Sequence, residues 1–180
     1  MEMPAWYQQI KTQFTTKILS ERESAPGEIE ISIGRDDVKD LLKALKSLPV
    51  GAFDHLADLT AYDNAPGTPR FHIVYELISM EARIRCSVIV PLEEVIQPKV
   101  QSICDLWLGA NWLEREVFDM YGIEFEGHPD QRRILLPEVF VGYPLRKDFV
   151  ADYRQEYTGA SESDQVFDPF GNTVMKSVED

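Results

Sequence analysis

The side chains of this chain best equipped for chemistry lie between positions 114 and 148. Glu114, Arg115, Glu116 and Asp119 come first, and Glu116 and Asp119 are spaced to share one face of a helix. Two carboxylates on one face can relay protons or hold a cation. The run Gly127-His128-Pro129-Asp130-Gln131-Arg132-Arg133-Ile134-Leu135-Leu136-Pro137 follows, continued by Gly142-Tyr143-Pro144-Leu145-Arg146-Lys147-Asp148-Phe149. Paired bases alternate there with apolar and turn residues. Guanidinium forks engage carboxylates and carbonyls while apolar neighbours anchor, so the pattern suits a binding surface; a solvated loop is the plainer alternative.

The usual catalytic signatures are missing around these groups. A carboxylate-bridged di-iron site needs a histidine three residues after a glutamate, and none stands there. His55, His72 and His128 are scattered and form no HExxH pair, which leaves a zinc site without support. No serine sits in a GxSxG elbow, no GxGxxG follows a strand, and no phosphate-cradling GxxxxGK[ST] loop occurs. Cys86 and Cys104 are too far apart for a CxxC pair and point to a reducing compartment, with a disulfide between them as the alternative. An independent acid/base enzyme built on Glu116, Asp119 and His128 would lack any accompanying substrate-binding motif.

Bulk properties narrow the partners. The 31 acidic and 18 basic residues give a net charge of −13, which repels phosphate backbones and anionic lipid. With 180 residues, 44% of them hydrophobic, the chain can build one domain with or without a tail. No stretch approaches the roughly 20 apolar residues that span a bilayer. The start, Met1-Glu2-Met3-Pro4-Ala5-Trp6, lacks the marks of a secretory or transit signal, so the chain is expected to work where it is made.

The elements that must position these residues follow from periodicity. Trp6, Ile10, Phe14 and Ile18 predict a helix from Pro4 to Leu19. Glu28 to Ile33 alternates as a strand; Val38, Leu41, Leu42, Leu45 and Leu48 then form a helical stripe with Asp36 as N-cap and Pro49 as stop. A strand is expected within Phe53 to Tyr62. The runs from Phe71 to Leu77 and from Ile84 to Val90 alternate and should pair as an antiparallel hairpin, after which Pro91 and Pro98 bracket a connector. Leu106 to Tyr121 reads as a third helix closed by Gly122. The fold class is therefore α+β: an antiparallel sheet packed with helices, followed by an extended irregular C-terminal segment. This divides the chain into a core at 1–126, a basic docking segment at 127–149 and an acidic tail at 150–180.

At these residues the sequence resembles the 30-kDa (C-type) subunit family of proton-pumping NADH-quinone oxidoreductase, complex I. The likeness runs through Asn111-Trp112-Leu113-Glu114-Arg115-Glu116, Asp119-Met120-Tyr121-Gly122-Ile123, Gly127-His128-Pro129-Asp130, Arg132-Arg133-Ile134-Leu135 and Pro144-Leu145-Arg146-Lys147-Asp148-Phe149, in order and at matching spacing. Weaker similarity reaches upstream to about Phe53. Gln131 and Val150 depart from the family's usual residues, and 151–180 does not align.

The resemblance implies a structural subunit of the peripheral arm, without catalytic, cofactor or metal residues of its own. NADH, FMN, iron-sulfur clusters and quinone would be bound by other subunits. Its implied partners are a quinone-site subunit related to hydrogenase large subunits and neighbouring iron-sulfur subunits, at the cytoplasmic side of a bacterial inner membrane. Glu114, Arg115, Glu116, Asp119, His128, Arg132, Arg133, Arg146, Lys147 and Asp148 are the expected docking residues. The equivalent subunit of a ferredoxin- or F420-linked complex or of a membrane-bound hydrogenase is the alternative within this class.

Overall fold

The computed structural model describes residues 3–150. A five-stranded sheet in the order β1-β2-β5-β4-β3 carries the fold, with β1 at Ile18–Ala25, β2 at Glu28–Ile33, β3 at His55–Asp63, β4 at Phe71–Ser79 and β5 at Ile84–Leu92. Strict alternation puts Ile29, Ile31 and Ile33 of β2, Phe71, Ile73, Tyr75 and Leu77 of β4, and Cys86, Val88, Val90 and Leu92 of β5 on one buried face. The intervening residues His72, Val74, Glu76 and Ile78 remain half-exposed on the other.

Helices α1 (Ala5–Phe14), α2 (Val38–Lys46) and α3 (Ala110–Tyr121) join that buried face in a single core. From α2, Val38, Leu41, Leu42 and Leu45 are fully buried, each worth about 1.5 to 3 kcal/mol relative to exposure. Asp37, not Asp36, stands at the N-cap of α2, and its carboxylate caps no backbone amide but pairs with Lys17 at 2.6 Å.

Other expectations need correction, among them the start of the third helix, which is Ala110 and not Leu106. The first helix stops at Phe14, because Thr12 and Thr15 turn their hydroxyls back onto the carbonyls of Gln8 (2.8 Å) and Lys11 (2.5 Å), and Ile18 opens β1 by pairing with Ile33. That edge strand was not expected; its exposed, alternating charges hide a strand from a periodicity search and discourage edge-to-edge association. The sheet is mixed rather than antiparallel: β2 runs parallel to β5, the intervening α2, β3 and β4 forming the crossover that parallel neighbours require. Finally, β5 continues through Pro91 to Leu92, past the point where its pairing with β2 ends at Ile89, so the missing proline N–H leaves no gap in that ladder.

The hairpin of β4 and β5 is antiparallel as expected, and Cys86 and Cys104 are free thiols. A further pair went unread in the sequence. β6 (Lys99–Gln101) and β7 (Glu124–Glu126) lie parallel on either side of α3 in the chain, burying Val100 and Phe125. This small crossover returns residue 127 to the level of the N-terminal end of α3. Residues 127–150 contain no helix or strand and fold back over α3 as a strap; the predicted tail at 150–180 lies, beyond Val150, outside the described residues.

Candidate functional site

Helix α3 and the strap that crosses it bring together most of the residues singled out in the sequence. The helix ends at Gly122, whose φ of 69° suits glycine and whose N–H closes onto Phe118 O at 2.8 Å. The same glycine is needed for space: a Cβ there would overlap the ring of Tyr143 on the strap.

At the N-terminal end of α3, Glu114 is fully buried. Its Oε1 accepts the N–H of Ile103 at 2.7 Å and its Oε2 accepts the Cys104 thiol at 3.4 Å. Burial pushes the Glu114 carboxyl above its ordinary range, against these hydrogen bonds, which favour the anion. Burial likewise pushes the Cys104 thiol up to about 11, which keeps it protonated and able to donate at neutral pH.

His128 arrives here from β7, with its Nε2 4.0 Å from Glu114 Oε2. Its Nδ1 accepts the N–H of Asp130 at 2.9 Å, so the ring proton sits on Nε2 and is donated to Asn111 O at 3.1 Å. Cys104, Glu114 and His128 together offer three ligand-type atoms within 4.8 Å of one another. Through these bonds the cluster ties together the 102–104 loop, α3 and the start of the strap.

Asp119 is the second anchor. Its Oδ2 accepts the backbone N–H groups of Ile134 (3.0 Å), Leu135 (2.8 Å) and Leu136 (2.9 Å), and its Oδ1 takes Arg133 Nη1 at 2.6 Å. Burial alone would raise its pKa; the Leu136 amide, Arg133 and the other two amides outweigh that and hold it below the usual carboxylate value. Arg133 also donates to Gly142 O at 3.0 Å and lies between the rings of Phe140 and Tyr143. Glu116 keeps an exposed side and Asp119 is buried, so these two carboxylates do not share a site.

Arg146 closes the far end of the helix. Its Nε donates to Tyr121 O at 2.6 Å, using a carbonyl that the helix leaves unpaired, and its guanidinium stacks 4.6 Å from Tyr143 and 4.9 Å from Phe71. Burial lowers its pKa, and carbonyls rather than a carboxylate receive its hydrogen bonds.

Lys147 N–H donates to Asp63 Oδ2 at 2.9 Å, and Arg70 bridges the buried Asp63 (2.7 Å) and Asp148 (2.7 Å). The Arg70 guanidinium holds both carboxyls below their ordinary range, Asp63 far below. Arg115 reaches the carbonyls of Arg132 (2.9 Å) and Arg133 (3.0 Å), and Arg132 forks onto Asp130 at 2.7 Å for both bonds.

Arg133 and Arg146, expected to face a partner, are thus engaged inside the chain. Preformed acceptors on α3 satisfy them locally, and a guanidinium fork matches such acceptors better than water does. Glu114, Asp119 and His128 are likewise withdrawn from the surface; Arg132, Lys147, Glu116 and Asp148 keep an exposed side. Sequence reasoning missed Asp63, Arg70, Cys104 and Tyr143, whose roles depend on segments far apart in the chain. Only the flanking of one loop by Asp63 and Arg70 hinted at a pair.

By fold, then, the protein is an α+β open-faced sandwich whose last described segment is clamped over α3. The same fold occurs in a chain of an archaeal respiratory membrane complex, the membrane-bound sulfane sulfur reductase, with a TM-score of 0.68 and 22% identity over 86% of this chain and 96% of that one. A family model described as "Respiratory-chain NADH dehydrogenase, 30 Kd subunit" matches residues 31–155. A C-type NADH-quinone oxidoreductase subunit of Rhizobium meliloti (strain 1021) is 42% identical over 70% of this chain and 68% of its own length. The C-type subunit of Burkholderia ambifaria (strain MC40-6) is 40% identical over 81% of this chain and 76% of its own length. That of Geotalea uraniireducens (strain Rf4) is 36% identical over 78% and 83%. The chain belongs to the respiratory-chain NADH dehydrogenase 30 Kd subunit family, the C-type subunits of complex I.

Proposed function

We propose that this chain is a structural, cofactor-free subunit of the peripheral arm of a proton-translocating NADH:quinone oxidoreductase. In this reading it helps assemble the quinone-reducing module with a hydrogenase-like quinone-site subunit, beside iron-sulfur subunits, on the cytoplasmic side of a bacterial inner membrane. NADH, FMN, iron-sulfur clusters and quinone are held by those neighbours. The observation that carries the reading is how the charged signature residues are used: Asp119, Arg133 and Arg146 hold the strap on α3, and Glu114 holds the 102–104 loop against the same helix. Groups committed in this way shape a surface; they are not free to turn over a substrate. No helix among the described residues is long and apolar enough to cross a membrane, so attachment would come through partners.

A tagged copy purified from native membranes should bring down a quinone-site subunit and iron-sulfur proteins, identified by mass. A monomer that leaves the membranes alone would refute the reading. The fold shared with the sulfane sulfur reductase chain favours one second reading, the equivalent subunit of a complex with another electron donor. A co-purifying NADH-binding flavoprotein decides between the two.

A further inference from the structure

We infer that the exposed face of α3, with the strap residues beside it, is the seat of a protein partner that brings an apolar side chain and a carboxylate; the inference rests on the subunit reading above. Leu108 is 89% exposed, Trp112 61% and Leu135 62%. Leu108 lies one turn before Trp112, and Leu135 is carried past the later turn of α3 by its amide bond to Asp119. From the turn before α3, through its first turn, to the strap beside it, these three exposed apolar side chains make up the proposed ridge.

Its middle is unusual in chemistry as well as in exposure. The Arg115 guanidinium stacks over the Trp112 indole at 5.5 Å and is fixed from behind by the Arg132 and Arg133 carbonyls, so the aromatic and the cation are both held in place before anything binds. Tryptophan and arginine are the residue types that dominate binding energy at the centres of protein interfaces. Charge selects the partner. Among the described residues Arg115 hydrogen-bonds only to carbonyls, and Arg132 spends Nε and Nη2 on Asp130, which leaves its Nη1 without a hydrogen-bond partner there. Glu138 lies within the field of Arg132 but does not bond to it. Glu116 is exposed four residues after Trp112 on the same face, so the visitor's carboxylate is directed to the open Nη1 of Arg132 and not to the ridge as a whole.

The test is photocrosslinking in cells that assemble the complex, using the full chain with benzoylphenylalanine at position 108, 112 or 135, or at 60 on the exposed face of β3 as the comparison. The expected result is a covalent product with a different, co-purifying protein from the ridge positions and not from position 60. Arg132→Glu in the same chain should reduce the yield from position 112 by about tenfold, the cost of one lost charge contact. If partners co-purify but crosslink only from position 60, the ridge is wrong and the subunit reading stands. A product of twice the chain's own mass would replace the acidic partner with a second copy. An unchanged yield in Arg132→Glu would remove the carboxylate from the proposal. If nothing co-purifies, the subunit reading itself fails and this one goes with it.

Discussion

The sheet-and-helix core and the strap are built on opposite plans. In the core, apolar side chains such as Ile31, Leu42, Val88 and Tyr75 are inside and charges such as Glu21, Arg22 and Glu30 are outside. In the strap the order is reversed: Arg133 and Arg146 turn inward to carboxylate and carbonyl acceptors, while Leu135, Val139, Val141 and Leu145 are more than half exposed. A core built by area burial is insensitive to the direction of any one contact. A strap held by a few directed, charge-assisted hydrogen bonds depends on each of them, and its outward aliphatics gain nothing until another surface covers them.

Asp119→Ala should widen that difference most. Removing it strands Arg133 and three backbone N–H groups, which costs about 3 to 5 kcal/mol, concentrated in the strap. Hydrogen exchange should show residues 134–136 deprotected while β4 and β5 stay protected; loss of the whole sheet would mean that strap and core fold as one unit. Leu42→Ala should do the reverse, lowering global stability by about 2 to 5 kcal/mol in a thermal melt, with strap and sheet lost together.

Gly122→Ala should cost about 1 to 3 kcal/mol from the left-handed backbone alone. It should also expel Tyr143, visible as a change in tyrosine environment in near-ultraviolet circular dichroism. A variant with an unaltered spectrum would show that the ring moves aside freely.

Acid should separate the regions too. The folded pKa values of Asp63, Asp119 and Asp148 are lowered, so the stability they contribute is present above the unfolded value of about 3.9 and is lost as pH falls through the folded values. Glu114 is raised, so it acts in the opposite sense: what it contributes at low pH is lost as pH rises from its unfolded value of about 4.3 through its folded one. Below about pH 4, strap protection should fade before that of the sheet; simultaneous loss would contradict the distinction.

The smallest effect is expected at Tyr75. Its buried hydroxyl has no hydrogen-bond partner among the described residues, so Tyr75→Phe should be neutral or stabilise by about 1 kcal/mol in a thermal melt. Destabilisation would reveal a bound water or other partner at that hydroxyl.

The parts legible in the sequence are those written in local periodicity. The alternation of Phe71 to Leu77 and of Ile84 to Val90 specified a hairpin, the stripe of Val38 to Leu45 specified α2, and Gly122 marked the end of α3. Local signals named the neighbours of each residue within its own element but not across elements. The edge strand β1 was hidden because its charges carry no apolar period, and the direction of β2 against β5 was hidden because alternation is the same for parallel and antiparallel pairing.

Among the site residues, the chained signature from Asn111 to Phe149 identified the family, because types and spacing survive in one dimension. It did not reveal that Asp119 and Arg133, Gly122 and Tyr143, or Glu114 and His128 would be used on one another. Which way a guanidinium points depends on whether an acceptor lies within reach in space. Chain returns such as β6-α3-β7 and the fold-back of the strap set that distance, and only the tertiary structure decided it.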